Sequence, residues 1–582
     1  MKVAAGQVAM KQGEAGRSMF LVLNGRVRVT LEGDRGPPRL LAYLGPGEHF
    51  GDMVLLGGGL RAATVTAVVD TELLELDQEQ FNQLVLDVPA FSANLGRTLV
   101  QRLRQEMTRR RRRERPTVIG LVNTSARTQS LTGHLAAALL AKGESIEVLT
   151  DRADGDPPGS PGYLVERLPT GLPAHERARL VRERIHQVAQ HHHRTLLDVT
   201  QAGSPVELAE LLAPCEEVWW LCESRFVEGA ADRLREVAAA APDLAARTHW
   251  VWILRKDERF SPLLSELPIV PPDFKVTFDD DPQRTSRRQR HAIDRLVRHL
   301  RGTRLGLALG GGAARGLAHL GALKALDREG IHFDLVAGTS SGALMGMAYC
   351  GGWRPDVAIE ELKRVLTPAK FFRALPGGVR WYLWSNFRRS AWETMLRPYL
   401  GKTCLEQLPI PLSVLAIDLI QGVEVVRDRG DAINALMETI NLPYLSRPIM
   451  RDGMALVDGG VLNNLPGDIL PERGADFVVG IDVVAKLPPG FGGPEGRKQP
   501  RILETLLRVT EVQAFGTAAL RANSIDLLIT PDTSAYEFAD FSRAKELAEL
   551  GEKAAIEVLP QLKQRLAELE SEVTAASAMG RT

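Results

Sequence analysis

The sequence predicts a multidomain chain, with a small β-barrel at its N-terminal end followed by two α/β domains. Its 582 residues are too many for a single hydrophobic core. Short alternating strands separated by turn pairs predict the barrel, and repeated alternation of strand and helix predicts sheets covered by helices. The predicted parts are 1–115 (barrel with a C-terminal helix), 116–275 (first α/β domain), 276–303 (linker helix), 304–570 (second α/β domain) and 571–582 (frayed tail).

Composition and charge indicate an ordinary globular protein. Apolar residues make up 44% of the chain and charged residues 25%, and 72 basic side chains balance 72 acidic ones. No apolar run is long enough to span a bilayer, and the first residues carry no signal-peptide core. The cysteines lack the spacing of a metal site, so we expect reduced core thiols in a cytoplasmic protein. They are Cys215, Cys222, Cys350 and Cys404.

The barrel prediction rests on short alternating runs. Met19–Leu23 and Val27–Thr30 are two such runs, divided by the turn pair Asn24-Gly25. Further along, Phe50–Leu56 is followed by three glycines and then by Arg61–Val65. This arrangement resembles the phosphate-binding cassette of cyclic nucleotide-binding domains.

In that family a short helix N-terminus and an arginine hold the cyclic phosphate, and a glutamate holds the ribose hydroxyl. Arg61 matches the arginine, whose planar guanidinium suits a phosphate. Asp52 occupies the position of the glutamate, and its side chain is shorter by one methylene group. The resemblance therefore implies a cyclic nucleotide as a candidate regulatory ligand. The alternative is a barrel that makes only protein contacts. The candidate phosphate site comprises Gly51, Asp52, Arg61 and Ala62.

A helix predicted from about Asp87 runs into five consecutive arginines, Arg109–Arg113. Such a run suits anionic lipid headgroups or nucleic acid, but a solvated helix end is the more ordinary interpretation. The catabolite activator proteins follow the same kind of barrel with a DNA-reading helix pair, and nothing in this sequence resembles one. We therefore expect no nucleic-acid partner.

The first α/β domain is predicted to be Rossmann-like, with a parallel sheet and helices such as Gly133–Ala141 on its faces. Its candidate strands are Thr117–Val122, Ile146–Thr150, Thr195–Val199, Glu217–Leu221 and Trp250–Leu254. The first turn, Asn123–Ser130, lacks the glycines and the lysine of a P-loop, so nucleotide hydrolysis has no support. Three consecutive histidines, His191–His193, cannot easily converge on one ion, and an exposed loop is expected there.

A linker helix is predicted at Arg288–Arg301. Ile293, Leu296 and Leu300 lie on one stripe of it, its other face is basic, and Gly302 is placed to end it. This pattern indicates a helix that packs on a neighbouring domain.

The stretch Phe333–Tyr349 predicts a strand, a tight turn and a helix, with Ser340 at the turn. Gly338 and Gly342 flank the serine, as a sharp strand-to-helix turn with a strained central residue requires. The geometry lifts a hydroxyl clear of a sheet and places it near a helix N-terminus, which favours a developing anion. Chance occurrence in a glycine-rich chain is the alternative.

A second glycine-rich turn, Gly310–Gly316, follows the apolar strand Leu305–Leu309 and precedes a helix predicted at Leu317–Glu329. Exposed backbone N–H groups at such a turn can bind an anion. A dinucleotide site is one interpretation. An oxyanion hole for Ser340 is the better one, because the serine turn follows within thirty residues.

A serine nucleophile needs a base, and the chain has no histidine after His332, which excludes a Ser…Asp…His order. His319 and His332 lie upstream and are weak candidates. The short apolar strand at Met454–Val457 ends instead in Asp458, followed by Gly459 and Gly460, so a carboxylate there could reach the serine of a neighbouring strand.

Together the glycine-rich loop, the G-x-S-x-G elbow and the D-G-G turn closely resemble those of the patatin-like phospholipases over about residues 304–485. The resemblance implies a three-layer α/β hydrolase fold, a serine–aspartate dyad that hydrolyses acyl esters, and no required metal or cofactor. The residues that it implies are Ser340 (nucleophile), Asp458 (base), the amides of Gly311, Gly312 and Ala313 (oxyanion donors) and Arg315 (holding the loop).

The order of barrel, Rossmann-like domain and patatin-like domain also resembles that of the neuropathy target esterase group, whose members act on phospholipids and lysophospholipids. Here the chain departs from the group in having one recognisable nucleotide module and no N-terminal membrane span. The predicted function is therefore a serine esterase of phospholipid or lysophospholipid substrates. The alternative is a non-catalytic signalling scaffold with a cyclic-nucleotide-like sensor.

An aromatic and basic stretch between the serine and the aspartate suits peripheral contact with the inner face of a membrane, or an acyl-chain channel. A core-packing insertion explains it equally well. The sequence carries no indication of oligomeric state. The aromatic residues are Phe371, Phe372, Trp381, Tyr382, Trp384, Phe387, Trp392 and Tyr399, and the arginines are Arg373, Arg380, Arg388, Arg389 and Arg397.

Overall fold

The computed structural model describes most of the chain and divides it into two compact units, Met1–Arg112 and Arg113–Thr582. Each unit is described by itself. The described residues are 1–87, 115–152, 162–255, 273–278, 286–367, 391–484 and 502–579, apart from short gaps within these ranges, together with Glu258 and Phe491. The predicted arginine run Arg109–Arg113 lies outside them, as does the helix expected beyond Asp87.

The first unit is a small β domain, as predicted, and consists of two four-stranded antiparallel sheets packed around one core. Phe20 and Val22 from one sheet share that core with Val27 and Val65 from the other. One sheet contains β1 (Lys2–Val3), β8 (Thr71–Asp77), β3 (Ser18–Asn24) and β6 (His49–Phe50). The other contains β2 (Val8–Met10), β7 (Thr64–Ala67), β4 (Val27–Leu31) and β5 (Arg39–Leu44). The helices are α1 (Asp52–Gly57) and α2 (Gln78–Asp87).

The second unit begins with a seven-stranded parallel sheet, as the alternation of strand and helix predicts. All six side chains of Val118–Asn123 are buried, because helices cover both faces of the sheet. In spatial order its strands are β11 (Leu164–Arg167), β10 (Ile146–Thr150), β12 (Arg194–Thr200), β9 (Val118–Asn123), β13 (Glu217–Cys222), β14 (Thr248–Leu254) and β15 (Phe274–Thr277). The helices are α3 (Ser130–Ala141), α4 (Ala174–Ala189), α5 (Pro205–Leu212), α6 (Val227–Ala240) and α7 (Pro242–Ala245).

The predicted linker helix is confirmed as α8 (Arg287–Arg301). Ser286 caps its first turn by accepting a hydrogen bond from the Gln289 amide at 3.2 Å, and Gly302 ends it with a left-handed φ of 66°. Its apolar stripe, including Ile293 and Leu296, packs into the core of the seven-stranded sheet.

A second sheet of eight strands follows. Its centre is parallel and one edge is antiparallel. Successive residues of the central strands belong to two different apolar clusters, so helices cover both faces and form three layers. The strands are β16 (Leu305–Leu309), β17 (Leu335–Thr339), β18 (Leu412–Asp418), β19 (Val423–Arg427), β20 (Ile449–Arg451), β21 (Met454–Asp458), β22 (Phe477–Ile481) and β23 (Leu527–Ile529).

The helices of this part include a long C-terminal one. They are α9 (Leu317–Arg328), α10 (Ser341–Cys350), α11 (Pro355–Leu366), α12 (Ala391–Leu400), α13 (Ala432–Thr439), α14 (Ile469–Glu472), α15 (Ile502–Arg521) and α16 (Ala544–Met579). Helix α16 lies so close to α9 that a Cβ on Gly551 would be 1.8 Å from the Ala318 carbonyl oxygen. Helix α16 continues through the segment from residue 571 to Met579 for which fraying is predicted; Val573 is buried there, and its carbonyl accepts a hydrogen bond from Arg115.

Candidate active site

Ser340 occupies the turn between β17 and α10, as the elbow pattern predicts. Its backbone has φ 54° and ψ −124°, a region that costs a non-glycine residue about 1–3 kcal/mol. The Ser340 amide donates to the hydroxyl of Thr439 at 2.9 Å, which helps to hold this conformation. The hydroxyl therefore stands at the end of a central strand and at the start of a helix.

The two elbow glycines are required by close packing. A Cβ on Gly342 would lie 2.2 Å from the carbonyl oxygen of Leu309, and one on Gly338 would lie 2.7 Å from the backbone of Ala343. Both distances are far shorter than van der Waals contact, so neither position accepts a side chain without moving the backbone.

The strand register brings Asp458 to the serine. Thr339, which precedes Ser340, pairs with Leu415 of β18, and the next residue of that strand, Ala416, pairs with Asp458 of β21. The two residues named by the motifs are thus separated by one strand. One carboxylate oxygen of Asp458 accepts the Gly460 amide at 2.8 Å, which orients the side chain.

The carboxyl group of Asp458 is buried, with 3% of the residue exposed. Burial raises its pKa to about 6, while hydrogen bonding to Ser340 and to the Gly460 amide lowers it in part. The second oxygen, Oδ2, has no hydrogen-bond partner of standard geometry among the described residues, which leaves it available to accept a proton. A carboxylate with this pKa is a competent base near neutral pH.

The glycine-rich loop lies against the serine. A Cβ on Gly311 would be 3.0 Å from the Cβ of Ser340. Of the three predicted oxyanion donors, the Gly311 amide already donates to the Asn464 carbonyl (3.1 Å) and the Gly312 amide to Ser341 Oγ (2.9 Å). The Ala313 amide makes no hydrogen bond to the described residues, and its φ of 50° explains why glycine suits this position.

Asn464 is a site residue that the sequence reasoning missed. Its Nδ2 donates to the Gly311 carbonyl at 3.1 Å. Its Oδ1 would be 2.7 Å from a Cβ on Gly311 and 2.9 Å from one on Gly460, so this amide lies between the glycine-rich loop and the aspartate turn. A signal was present, because two asparagines, Asn463 and Asn464, interrupt an apolar run just after Asp458 and are both buried.

Arg315 is buried, with 1% exposed, and forms an ion pair with Glu511 of α15. Its role in holding the loop stays a prediction. The pair ties α15 to the glycine-rich loop, and the same helix packs on the turn at Gly459–Val461 that follows Asp458. Glu511 was not predicted, because it lies in a helix whose packing partner is almost two hundred residues away.

The upstream histidines are engaged elsewhere. His319 Nε2 bonds to the Gly310 carbonyl oxygen at 2.8 Å, and burial lowers its pKa to about 4. His332 Nδ1 lies 3.4 Å from Asp327, and its ring stacks on His291. Neither arrangement places an imidazole on the Ser340 hydroxyl.

In the first unit, Arg61 is buried and engaged within the sandwich. Its guanidinium donates to the Gly51 carbonyl at 3.2 Å and to Ser18 Oγ at 3.3 Å, and burial lowers its pKa. Asp52 is buried 3.4 Å from His49. Ala62, the fourth predicted member, is exposed beside Arg61. The structure brings Gly51 and Arg61 together, and phosphate binding stays a prediction.

The three consecutive histidines have separate neighbours, as expected for residues that do not share an ion. His192 pairs with Glu147 at 3.3 Å, His193 bonds to Ser145, and His191 is exposed.

Most of the aromatic stretch, from Phe371 to Arg389, lies outside the described residues. The described members are the buried core residue Trp392 and Tyr399, whose ring packs on Trp353.

The remaining sequence expectations concern membrane spans and cysteines. Among the described residues, no helix combines the length and the apolar content that crossing a membrane requires. All four cysteines are free thiols, and burial raises the pKa of Cys215 and Cys222 to about 12, which makes them unreactive.

Comparisons with known families agree with this geometry. Residues 307–471 match the model of the patatin-like phospholipases, and residues 1–87 match that of the cyclic nucleotide-binding domain. The first match contains the glycine-rich loop, Ser340 and Asp458. The chain therefore has a cyclic nucleotide-binding domain at its N-terminal end and a patatin-like phospholipase domain later in the sequence. Its enzyme class is that of the carboxylic ester hydrolases. The predicted enzyme class is confirmed.

The relatives that match nearly the whole chain carry neuropathy target esterase names. An uncharacterized NTE family protein of Mycobacterium tuberculosis is 26% identical, over 96% of this chain and 92% of its own length. Lysophospholipase NTE1 of Pyricularia oryzae is 23% identical, over 97% of this chain and 42% of its own. Neuropathy target esterase sws of Drosophila melanogaster is 26% identical, over 82% of this chain and 35% of its own length. The fungal and insect relatives are thus more than twice as long.

Proposed function

We propose that this chain hydrolyses acyl esters of phospholipids or lysophospholipids, with Ser340 as the nucleophile and Asp458 as the general base. The observation that supports this most is a strained serine elbow one strand away from a buried carboxylate whose pKa is raised to about 6. The fungal relative is named a lysophospholipase and the insect relative an esterase, which supports lipid esters as the substrate class.

The mechanism follows from these groups. Asp458 takes the hydroxyl proton as Ser340 Oγ attacks the ester carbonyl carbon, and the tetrahedral oxyanion collapses with release of the alcohol, which takes the proton from Asp458. Water then attacks the acyl-serine and passes its proton to the same carboxylate. Ser340 recovers a proton from Asp458, and the fatty acid leaves.

Backbone amides of the glycine-rich loop stabilise the oxyanion in this proposal. The Ala313 amide is available as it stands, whereas the Gly312 amide becomes available once the Ser341 hydroxyl turns away. The bonds of Asn464 to Gly311 hold the loop while this happens.

The test of this proposal is fatty-acid release from lysophosphatidylcholine. We expect the wild type to release fatty acid and Ser340→Ala to lose roughly 10⁴-fold or more in rate. Ser534→Ala, which alters a partly buried loop serine whose hydroxyl donates to Asp532, serves as the matched control and keeps full activity. Release that survives in Ser340→Ala would reject the nucleophile. Hydrolysis of p-nitrophenyl butyrate without any release from the lipid would reject the substrate class but not the serine.

We further propose that α15 touches the lipid surface. Val509, Val512 and Phe515 are 50%, 48% and 40% exposed on this helix, which also contacts the Asp458 turn and carries the Glu511 partner of Arg315. Apolar side chains at an interface gain roughly 25 cal/mol for each Å² removed from water. In this proposal the patch holds the domain on the lipid surface that supplies the acyl ester.

Charged substitution on α15 tests this contact. We expect Val512→Asp combined with Phe515→Asp to reduce sedimentation with phosphatidylcholine vesicles, and to reduce activity on vesicle substrate about tenfold or more. Hydrolysis of soluble p-nitrophenyl butyrate stays within twofold. Ile556→Asp changes a residue that is 54% exposed on α16 and serves as the control. Unchanged vesicle binding by the double variant would reject the contact.

The cyclic nucleotide-binding domain is the candidate regulatory site. A cyclic phosphate would replace the Gly51 carbonyl and Ser18 hydroxyl as the partner of Arg61. We expect saturable binding of a fluorescent cyclic nucleotide that weakens at least tenfold in Arg61→Ala and is retained in Arg17→Ala, an exposed arginine nearby. Absence of saturable binding by the wild type would instead favour a sandwich that makes only protein contacts.

A further inference from the structure

Two histidines and a glutamate from three separate elements meet at the junction between the seven-stranded sheet and the linker helix. Glu217 is the first residue of β13, His249 is the second residue of β14, and His299 lies in the last turn of α8. Their ligand atoms all lie within 4.8 Å of one another. His299 Nε2 is 3.1 Å from Glu217 Oε2, and His249 Nε2 is 3.8 Å from the same oxygen.

Ordinary ion pairing does not account well for this arrangement. Trp219 Nε1 also donates to Glu217 Oε2 at 3.1 Å, so two hydrogen bonds and the more distant His249 Nε2 surround one oxygen. A carboxylate oxygen offers about two lone-pair directions, so it cannot serve three N–H donors fully. If both rings are cationic, they also repel each other, because their centroids are 5.3 Å apart.

A bound metal ion resolves this crowding. The two imidazoles would then present lone pairs instead of N–H groups, and the Trp219 N–H would remain as an outer partner that orients the carboxylate. Ligand atoms around a tetrahedral Zn²⁺ with bonds of about 2.0–2.2 Å lie roughly 3.4 Å apart. The distances of 3.1 and 3.8 Å from Glu217 bracket that value, and all the ligand atoms lie within 4.8 Å of one another, so the two rings must move closer together to complete the geometry.

The donor set suits a zinc ion, and the location separates it from the end of the sheet where substrates bind. Two imidazoles and one carboxylate form a set that Zn²⁺ favours, and water can supply a fourth ligand. Glu217 and His249 lie at the amino ends of their parallel strands, whereas substrates of open α/β sheets bind at the carboxyl ends. The rings pack around Phe274 at centroid distances of 4.9 and 5.9 Å, which limits access of water.

We propose that Glu217, His249 and His299 form a zinc site that fastens the linker helix α8 to the seven-stranded sheet. The ion joins two strands to the helix that leads directly into β16, the strand before the glycine-rich loop. This site is independent of the proposed esterase chemistry.

The test is zinc binding by the full chain after dialysis against EDTA. We expect about one Zn²⁺ per chain by titration calorimetry, with a rise in the thermal midpoint on adding ZnCl₂. Glu217→Gln and His249→Gln should each weaken binding by at least roughly 100-fold and remove that rise, because each deletes a ligand.

The control is His192→Gln. His192 also pairs with a single glutamate, but among the described residues no third ligand accompanies that pair, so we expect this variant to bind zinc like the wild type. Far-UV circular dichroism, which does not depend on the proposed esterase activity, reports whether each variant is folded. Wild type that binds no zinc, or zinc binding that survives in a folded Glu217→Gln, would overturn the proposal. Binding that disappears in His192→Gln would assign the ion to the surface histidines instead.

Discussion

Asp458→Asn should abolish ester hydrolysis while making the protein more stable. Asparagine keeps the shape of the side chain and the oxygen that accepts the Gly460 amide, but it cannot take the proton of Ser340. We expect a loss of roughly 10³-fold or more in kcat/KM. In the wild type, kcat/KM should rise with pH through an apparent pKa near 6, because the base must be ionised.

The stability gain has a definite pH dependence. Burial raises the pKa of Asp458 from 3.8 to about 6, so the folded state carries the cost of a buried charge once the pH exceeds that value. The difference corresponds to about 3 kcal/mol. Asp458→Asn should therefore raise the free energy of unfolding at pH 8 by up to that amount and change it little near pH 4. Measurement by urea denaturation at both pH values checks this. A variant that is inactive and also destabilised at pH 8 would contradict it.

Gly342→Ala should destabilise the second unit by about 3 kcal/mol or more and remove activity. Its Cβ would be 2.2 Å from the Leu309 carbonyl oxygen, so either α10 or β16 must move, and both carry parts of the site. Thermal unfolding and fluorophosphonate labelling measure the two effects.

Gly346→Ala provides the matched control one turn further along the same helix. There the nearest atom to a new Cβ is a side-chain methyl of Leu412 at 3.2 Å, which can shift slightly. Alanine also favours a helix by up to about 1 kcal/mol over glycine. We expect this variant to remain folded and active. Equal behaviour of the two variants would show that the elbow does not depend on the close approach at Gly342.

The parts of the site that lie in continuous motifs were predictable. A serine between two glycines at a strand–helix junction, a glycine-rich loop and an Asp-Gly-Gly turn each have local geometry that short stretches encode. The linker helix was predicted to within one residue, because its apolar stripe and its terminal glycine are both local signals. The three-layer arrangement followed from the resemblance to the patatin-like family.

Other parts depend on pairings between distant residues. The antiparallel placement of β21 beside β18, which brings Asp458 towards Ser340, arises from strand register that no local pattern encodes. The contact of Arg315 with Glu511 and the meeting of Glu217 with His299 join residues far apart in the chain. The hydrogen bond from Arg115 to the carbonyl of the buried Val573 likewise joins residues more than 450 positions apart.

The central claim is that Ser340 is a nucleophile activated by Asp458, and covalent labelling by a fluorophosphonate probe tests it most directly. The account predicts one probe per chain by intact mass, located on Ser340 by peptide mapping, and no labelling of Ser340→Ala. Labelling of the wild type should be slower at pH 5 than at pH 8, because Asp458 is largely protonated at the lower pH. A folded wild type that does not react, or a Ser340→Ala variant that still does, would contradict the account.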